Sequence, residues 1–338
     1  METTEYTQSA GIFHYDGLSC LRNAYAHNSC SACLDICAFE AFSIQRKKLK
    51  LDPALCTACG GCVGVCPTNS LYLLADTLEK YAKKILDEKE AELTCTGGNS
   101  CLARFSSQDL ISLSLQTQKS FTCNLSLCEN CEINRENKLL EFIHTSIGEA
   151  NLLLSSMGEN QIDTTYENKE AKVSRRAFFK SLVNPTTQEK FVHRSDTFKT
   201  LLKENLKEDV FIDEKVSFIH FKKIEDSCTN CGECIEFCPT KALSFSSDKT
   251  KILFQNGKCI GCGICEDICK SDSIKETQKR VNLVEFAYNK AEVLITHDIR
   301  ICKLCKCAFS YKEGEVLCQR CKTFELEHKG IFTLACEM

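Results

Sequence analysis

Cys228-Thr229-Asn230-Cys231-Gly232-Glu233-Cys234-Ile235-Glu236-Phe237-Cys238-Pro239 decides how this chain is read. The spacing is C-x2-C-x2-C-x3-C followed by Pro. Cys56, Cys59, Cys62 and Cys66 repeat it, with Pro67 in the same place. Cys259, Cys262, Cys265 and Cys269 repeat it with Lys270 in place of Pro. Cys30, Cys33 and Cys37 repeat its last three positions. Four copies therefore fall in two pairs, and the rest of the chain lies before, between and after them. One C-x2-C step arises easily by chance; three full runs and a partial fourth do not.

Thiolates two residues apart in a tight loop can turn inward onto one iron–sulfur cube, whose iron corners are only a few ångströms apart. The fourth cysteine opens the next helix, faces away and reaches a neighbouring cluster. Pro after it suits a sharply turning chain with no N–H to satisfy. The run resembles that of bacterial two-cluster ferredoxins. That resemblance implies crossed ligation, each half giving three ligands to its own [4Fe–4S] cluster and one to the other. In the second pair it implies Cys228, Cys231, Cys234 and Cys269 on one cluster, and Cys259, Cys262, Cys265 and Cys238 on the other. In the first pair it implies Cys56, Cys59 and Cys62 with Cys37, and Cys30 and Cys33 with Cys66. That last set lacks one ligand. Regular spacing would place it at His27; Cys20, ten residues before Cys30, could loop in instead; a three-iron cluster would need neither. Thiolate is the commoner partner of such cores, and imidazole would raise the potential, as in Rieske centres. His27 also reads as a plain surface residue.

Disulfides are the competing explanation of 27 cysteines. The count is odd, the chain of 338 residues is long, and most cysteines sit in C-x2-C steps. Disulfide scaffolds are typically short secreted chains. Met1–Tyr15 has no basic start and no apolar centre, so it does not read as a signal peptide. No apolar run approaches the roughly 18 residues of a membrane span. The expectation is a reduced, cytoplasmic protein whose thiolates hold metal. The formal charge is −4; each [4Fe–4S] core with four thiolates adds about −2, so four sites bring it to about −12. This argues against nucleic acid as a partner.

The fold class expected is α+β: two ferredoxin-like two-cluster units joined by a small α/β domain and a helical linker, with a zinc-ribbon-like tail. The boundaries read as 1–80, 81–157, 158–215, 216–285 and 286–338. Each ferredoxin-like unit has a hairpin between its two motifs, Ala41–Leu51 in the first and Phe245–Phe254 in the second. The middle domain alternates strand, helix, strand, helix, with Leu110, Ile111 and Leu113 inward on one helix and Leu139, Leu140, Ile143 and Ile147 on the next. Its cysteines, Cys95, Cys101, Cys123, Cys128 and Cys131, fall at strand ends or in loops. It is similar to small cysteine-bearing α/β domains that accompany hydrogenase and heterodisulfide-reductase electron chains. A further metal site at Cys95, Cys123, Cys128 and Cys131 is one reading, with zinc or [2Fe–2S]; buried inert thiols are the other. In the linker, Ser174-Arg175-Arg176-Ala177-Phe178-Phe179-Lys180 is similar to a segment before the clusters of nitrate-reductase accessory ferredoxins. It reads as a docking segment or as a helix start capped by Ser174. In the tail, Cys302 and Cys305, then Cys318 and Cys321 twelve residues on, resemble a zinc ribbon or rubredoxin knuckle. Zinc, a single iron, or a cluster that also uses Cys307 would each fit; Cys336 reads as free.

Nothing resembles a substrate site: no phosphate-binding Gly loop, no Ser–His–Asp set, no paired carboxylates. The expected function is single-electron transfer through four [4Fe–4S] clusters to or from a redox protein partner, a dehydrogenase or reductase such as a molybdenum enzyme, with no catalysis of its own. A cluster-bearing accessory factor that matures a molybdenum oxidoreductase is the alternative. A protein whose clusters only fold the chain is a third reading.

Overall fold

The computed structural model of the protein describes residues 7–10, 13–25, 27–73, 77–95, 101–167 and 194–328. The docking segment around Arg175, and Cys336, lie outside them. Two compact units form. The first holds Met1–Ile219, Ile260–Cys262 and Arg280–Tyr288; the second holds His220–Cys259, Gly263–Lys279 and Asn289–Met338.

In the first unit, Phe13–Asp16 pairs antiparallel with Thr7–Ala10 on one side and Leu71–Leu73 on the other. The Phe42–Gln45 and Lys48–Leu51 hairpin closes on Arg46 and Lys47, both at positive φ (50° and 65°). A two-residue turn of that hand matches the twist of the strands it joins. Leu49 and Leu51 face inward and Lys48 faces solvent, the alternation of a half-buried strand. Phe13, Tyr15, Phe42 and Leu71 complete this core.

The middle segment forms a parallel sheet of Ala91–Thr94, Phe121–Asn124 and Asp163–Thr165, in that order. Its two crossover helices, Ser107–Thr117 and Lys138–Ser156, pack on each other. The first begins in a capping box: Asp109 N–H donates to Ser106 Oγ, and Ser106 N–H donates to Asp109 Oδ2. The second buries Leu139, Ile143, Ile147, Ala150, Leu153 and Leu154, one stripe of a 3.6-residue period, with Leu140 half-buried. The third strand lies past the expected boundary at 157. It is short and polar, so no apolar alternation marks it. Much of the expected linker is also ordered structure. The helix Arg194–Asn205 buries Phe198 and Leu202 against Ser107–Thr117, and Phe198 meets the rings of Phe218 and Phe286 at 5.5 and 6.2 Å.

In the second unit, Phe221–Ile224 pairs with Ile274–Thr277, and Leu243–Phe245 with Lys251–Phe254. The hairpin begins two residues earlier than expected. Asp248 accepts from Ser246 Oγ, Thr250 N–H and Thr250 Oγ1, which takes this stretch out of the strand and into the turn. Glu292–Thr296 adds a third strand to Lys251–Phe254, with a bulge at Ile252/Leu253. The segment expected to open the tail is thus part of the ferredoxin-like sheet. The short hairpin Ile299–Ile301 with Ala308–Ser310 and the helix Gln319–His328 follow.

Candidate metal centres

Each complete motif folds alike. Gly60, Gly232 and Gly263 each stand one residue after the second cysteine at φ 85°, 79° and 73°, and a one-turn helix starts there. Only glycine takes that backbone without strain. The partial copy has Ser31 in this place at φ −128°. Its approach differs accordingly: Arg22 Nε donates to the Cys30 carbonyl (2.9 Å), and Asn28 Oδ1 accepts from Cys30 N–H (3.0 Å).

Cys20, Cys30, Cys33 and Cys66 come together. Burial pushes the Cys33 thiol up strongly, and the nearby Cys66, Cys30 and Cys20 push it further. Burial also raises Cys30, with Cys66 and Cys20 adding to it against the Ala32 N–H. Tyr15, raised first by burial, is hydrogen-bonded to Cys20. His27 is exposed, its ring edge-on to Tyr25. Cys37, Cys56, Cys59 and Cys62 form a second group. Cys62 is raised by burial and then by Cys59, Cys33, Cys37 and Cys56, so this group adjoins the first.

Cys228, Cys231, Cys234 and Cys269 line one cavity with Ile224, Ile252 and Ile274. Burial pushes Cys234 up to about 12, with Cys228, Cys231 and Cys269 adding to it. Cys238, Cys259 and Cys265 pack on the same core of the second unit. Cys262 is in the first unit by its packing; its place in that set rests on the sequence.

One feature of these sites was missed in the sequence although its signal was there. The crossing cysteine is followed two residues later by a hydroxyl in three of the four copies. Thr68 lies 3.7 Å from Cys66 Sγ, Thr240 3.7 Å from Cys238 Sγ and Ser271 3.6 Å from Cys269 Sγ. Backbone N–H groups add to this: Ala242 donates to Cys238 Sγ (3.3 Å) and Ser273 to Cys269 Sγ (3.2 Å). Burial would raise Cys269, yet these donors hold it below the ordinary thiol value. The pattern C-x-[ST] announces them; Cys37, followed by Phe39, lacks it.

In the tail, the sulfur atoms of Cys302, Cys305, Cys318 and Cys321 all lie within 4.8 Å of one another. The Cys307 N–H, then the Cys321 thiol, hold Cys305 down at about 6. Cys307 itself is exposed. Four sulfurs so close fit one tetrahedral ion with metal–sulfur bonds of about 2.3 Å. The cysteines of the middle segment stand in different surroundings. Cys123 is buried in its strand, pushed up to about 12 by burial alone. Cys101 is hydrogen-bonded to Cys95, and Cys95 and Cys131 both act on Cys128.

The thiol groups suit iron–sulfur clusters. Buried thiols that raise one another's proton affinity are a poor arrangement on their own, and a cationic core relieves it. The comparisons agree with this donor chemistry: residues 28–70 and 220–270 each match a 4Fe-4S dicluster domain. The molecule is therefore an iron–sulfur protein with two such domains. An uncharacterized ferredoxin of Methanocaldococcus jannaschii is 33% identical over 45 residues, covering 13% of this chain and 71% of that protein. The ferredoxin of Methanothermococcus thermolithotrophicus is 31% identical over 51 residues, covering 14% and 83%. The chain therefore belongs to the ferredoxin family. A larger protein matches part of the chain too: an archaeal-type glutamate synthase [NADPH] of Thermotoga maritima is 28% identical over 68 residues, 20% of this chain but 13% of that one.

Proposed function

We propose that this protein is a polyferredoxin-like electron carrier that works with an oxidoreductase partner. When bound, [4Fe–4S] clusters accept and release single electrons at low potential. Four thiol sets would hold four of them: Cys20, Cys30, Cys33 and Cys66; Cys37, Cys56, Cys59 and Cys62; Cys228, Cys231, Cys234 and Cys269; and Cys238, Cys259, Cys262 and Cys265. The observation that carries the reading is the cavity lined by Cys228, Cys231, Cys234 and Cys269, which unites three cysteines of one motif with the fourth of the other. Ile252 and Ile274 are buried in the lining of that cavity, while Cys231 stays exposed. Hydroxyl and N–H donors beside Cys269 would steady its thiolate form.

The partner is a dehydrogenase or reductase. In support, matching segments occur in proteins named glutamate synthase and indolepyruvate oxidoreductase subunit. The tail is read as a structural zinc site. The described cysteines form no disulfides, which suits a reducing compartment such as the cytoplasm. Among the described residues no helix is long and apolar enough to cross a membrane.

The test is oxygen-free purification, with iron, sulfide and zinc counts and electron paramagnetic resonance after reduction. At least about 16 irons and one zinc per chain, with signals from interacting reduced clusters, support the reading. Colourless, sulfide-free protein overturns it.

A further inference from the structure

The middle sheet ends in a place where a site can be built. Thr94 stands opposite Asn124 in the parallel register, so Cys95 leaves its strand beside Leu125. In α/β layers the carboxyl ends of parallel strands are where loops gather around a ligand. Four cysteines gather here. Cys95 follows Ala91–Thr94 directly, and Cys101 caps the turn Leu102–Arg104. Cys128 and Cys131 lie on a tight loop after Phe121–Asn124, where Cys128 N–H donates to the Leu125 carbonyl (2.9 Å) and Cys131 N–H to the Cys128 carbonyl (3.4 Å). Asn134 holds that loop. Its amide donates to the Cys128 carbonyl (3.1 Å), and its side-chain oxygen accepts from Leu140 N–H (3.2 Å), in the first turn of the long helix.

The four thiols keep one another's company. Cys95 and Cys101 are hydrogen-bonded through their side chains, and Cys128 feels both Cys95 and Cys131. Cys101 and Cys128 are buried. A single buried cysteine is an ordinary small apolar residue; four brought together from two strand ends are not. Their spread also speaks to the ligand. Among the described residues only the tail's four sulfurs lie within 4.8 Å of one another. The middle set is wider than one tetrahedral ion requires, and the ferredoxin sets share that property.

The set also stands beside a cluster site. Cys101 is within electrostatic reach of Cys59. The turn that Cys101 caps packs on the helix Gly61–Val65 so tightly that a Cβ at Gly64 would lie 2.3 Å from the Ala103 carbonyl oxygen. We infer that Cys95, Cys101, Cys128 and Cys131 form a fifth iron–sulfur site, next to that of Cys37, Cys56, Cys59 and Cys62. The inference rests on the iron–sulfur reading of the ferredoxin-like units.

The full chain is purified without oxygen, reconstituted with ferrous iron and sulfide, and assayed for iron, sulfide and zinc. Wild type should carry one cluster more than the four ferredoxin-type sites supply. Cys101→Ser and Cys131→Ala should each lose one cluster's iron and sulfide, about a fifth of the total if all five are cubanes. Cys123→Ala should lose none. In the reduced wild type, spin coupling between the fifth centre and its neighbour should broaden the resonance, and Cys101→Ser should remove that broadening. Wild-type iron sufficient for only four clusters and unchanged in Cys101→Ser overturns this inference alone. So does a variant that loses zinc and keeps its iron. A chain without iron in any unit overturns the reading beneath it. The wild-type count needs no variant to fold.

Discussion

Cys20 and His27 offered two ways to complete the same site, and they differ in burial. Cys20 is 8% exposed and acts on Tyr15, Cys30 and Cys33; His27 faces solvent. Cys20→Ser should therefore lose one cluster or convert it to a three-iron form, seen as a new resonance in the oxidised protein. His27→Ala should leave iron content and potentials unchanged. Lys222 gives a second prediction. It is buried, ion-paired with Glu266 and with Glu276 (3.0 Å), and its charge reaches Cys265. Lys222→Met would take the buried cation from Glu266 and leave Glu276 with His220 alone, costing about 1–3 kcal/mol in denaturant unfolding. A lost positive charge near cluster thiolates should also lower a reduction potential in redox titration. Burial works to raise the Glu276 carboxyl, but His220 and Lys222 hold it below its ordinary value. A depressed carboxyl stabilises the fold above its unfolded pKa, and that stability is lost as pH falls through the folded one. The wild type should weaken on that acid side, and Lys222→Met should show a shallower acid loss.

Among the elements, the helix Gly61–Val65 is held closely on several sides. A Cβ at Gly64 would meet Ala103 and Phe142, and Arg194 donates to the carbonyls of Val63 (2.9 Å) and Gly64 (3.2 Å) while pairing with Asp109. Gly64→Ala should cost about 1–3 kcal/mol by overpacking and reduce iron retention at the Cys62 site, read as faster loss of iron to a chelator. Arg194→Ala should act the same way and at least as strongly, because it leaves the buried Asp109 carboxylate and two buried carbonyls without this donor. None of this was legible beforehand: Arg194 lies far along the chain from Gly64, and no local pattern links them. What was legible was local. Ligand spacing, the hairpins and the long apolar stripe of Lys138–Ser156 are written within a few residues of one another. Cys101 escaped because the five cysteines of the middle segment carry no period. Only the parallel register, which sets Leu93 beside Cys123, places Cys123 within the sheet.

At the scale of the molecule, two kinds of metal socket stand in one chain. The tail's sulfurs suit one ion, and the ferredoxin sets suit clusters, so the two should separate on metal removal. A zinc-selective chelator should release one metal, loosen the tail in limited proteolysis, and leave the visible iron–sulfur absorbance in place; parallel loss of both would contradict the separate roles. The strand Glu292–Thr296 complicates any attempt to divide the protein. A gene shortened to stop after residue 285, where the ferredoxin-like half looked complete, would strip Lys251–Phe254 of its outer neighbour. Bare backbone donors and acceptors along a sheet margin recruit other chains. The shortened product should self-associate on a sizing column, whereas one ending after His297 should stay dispersed.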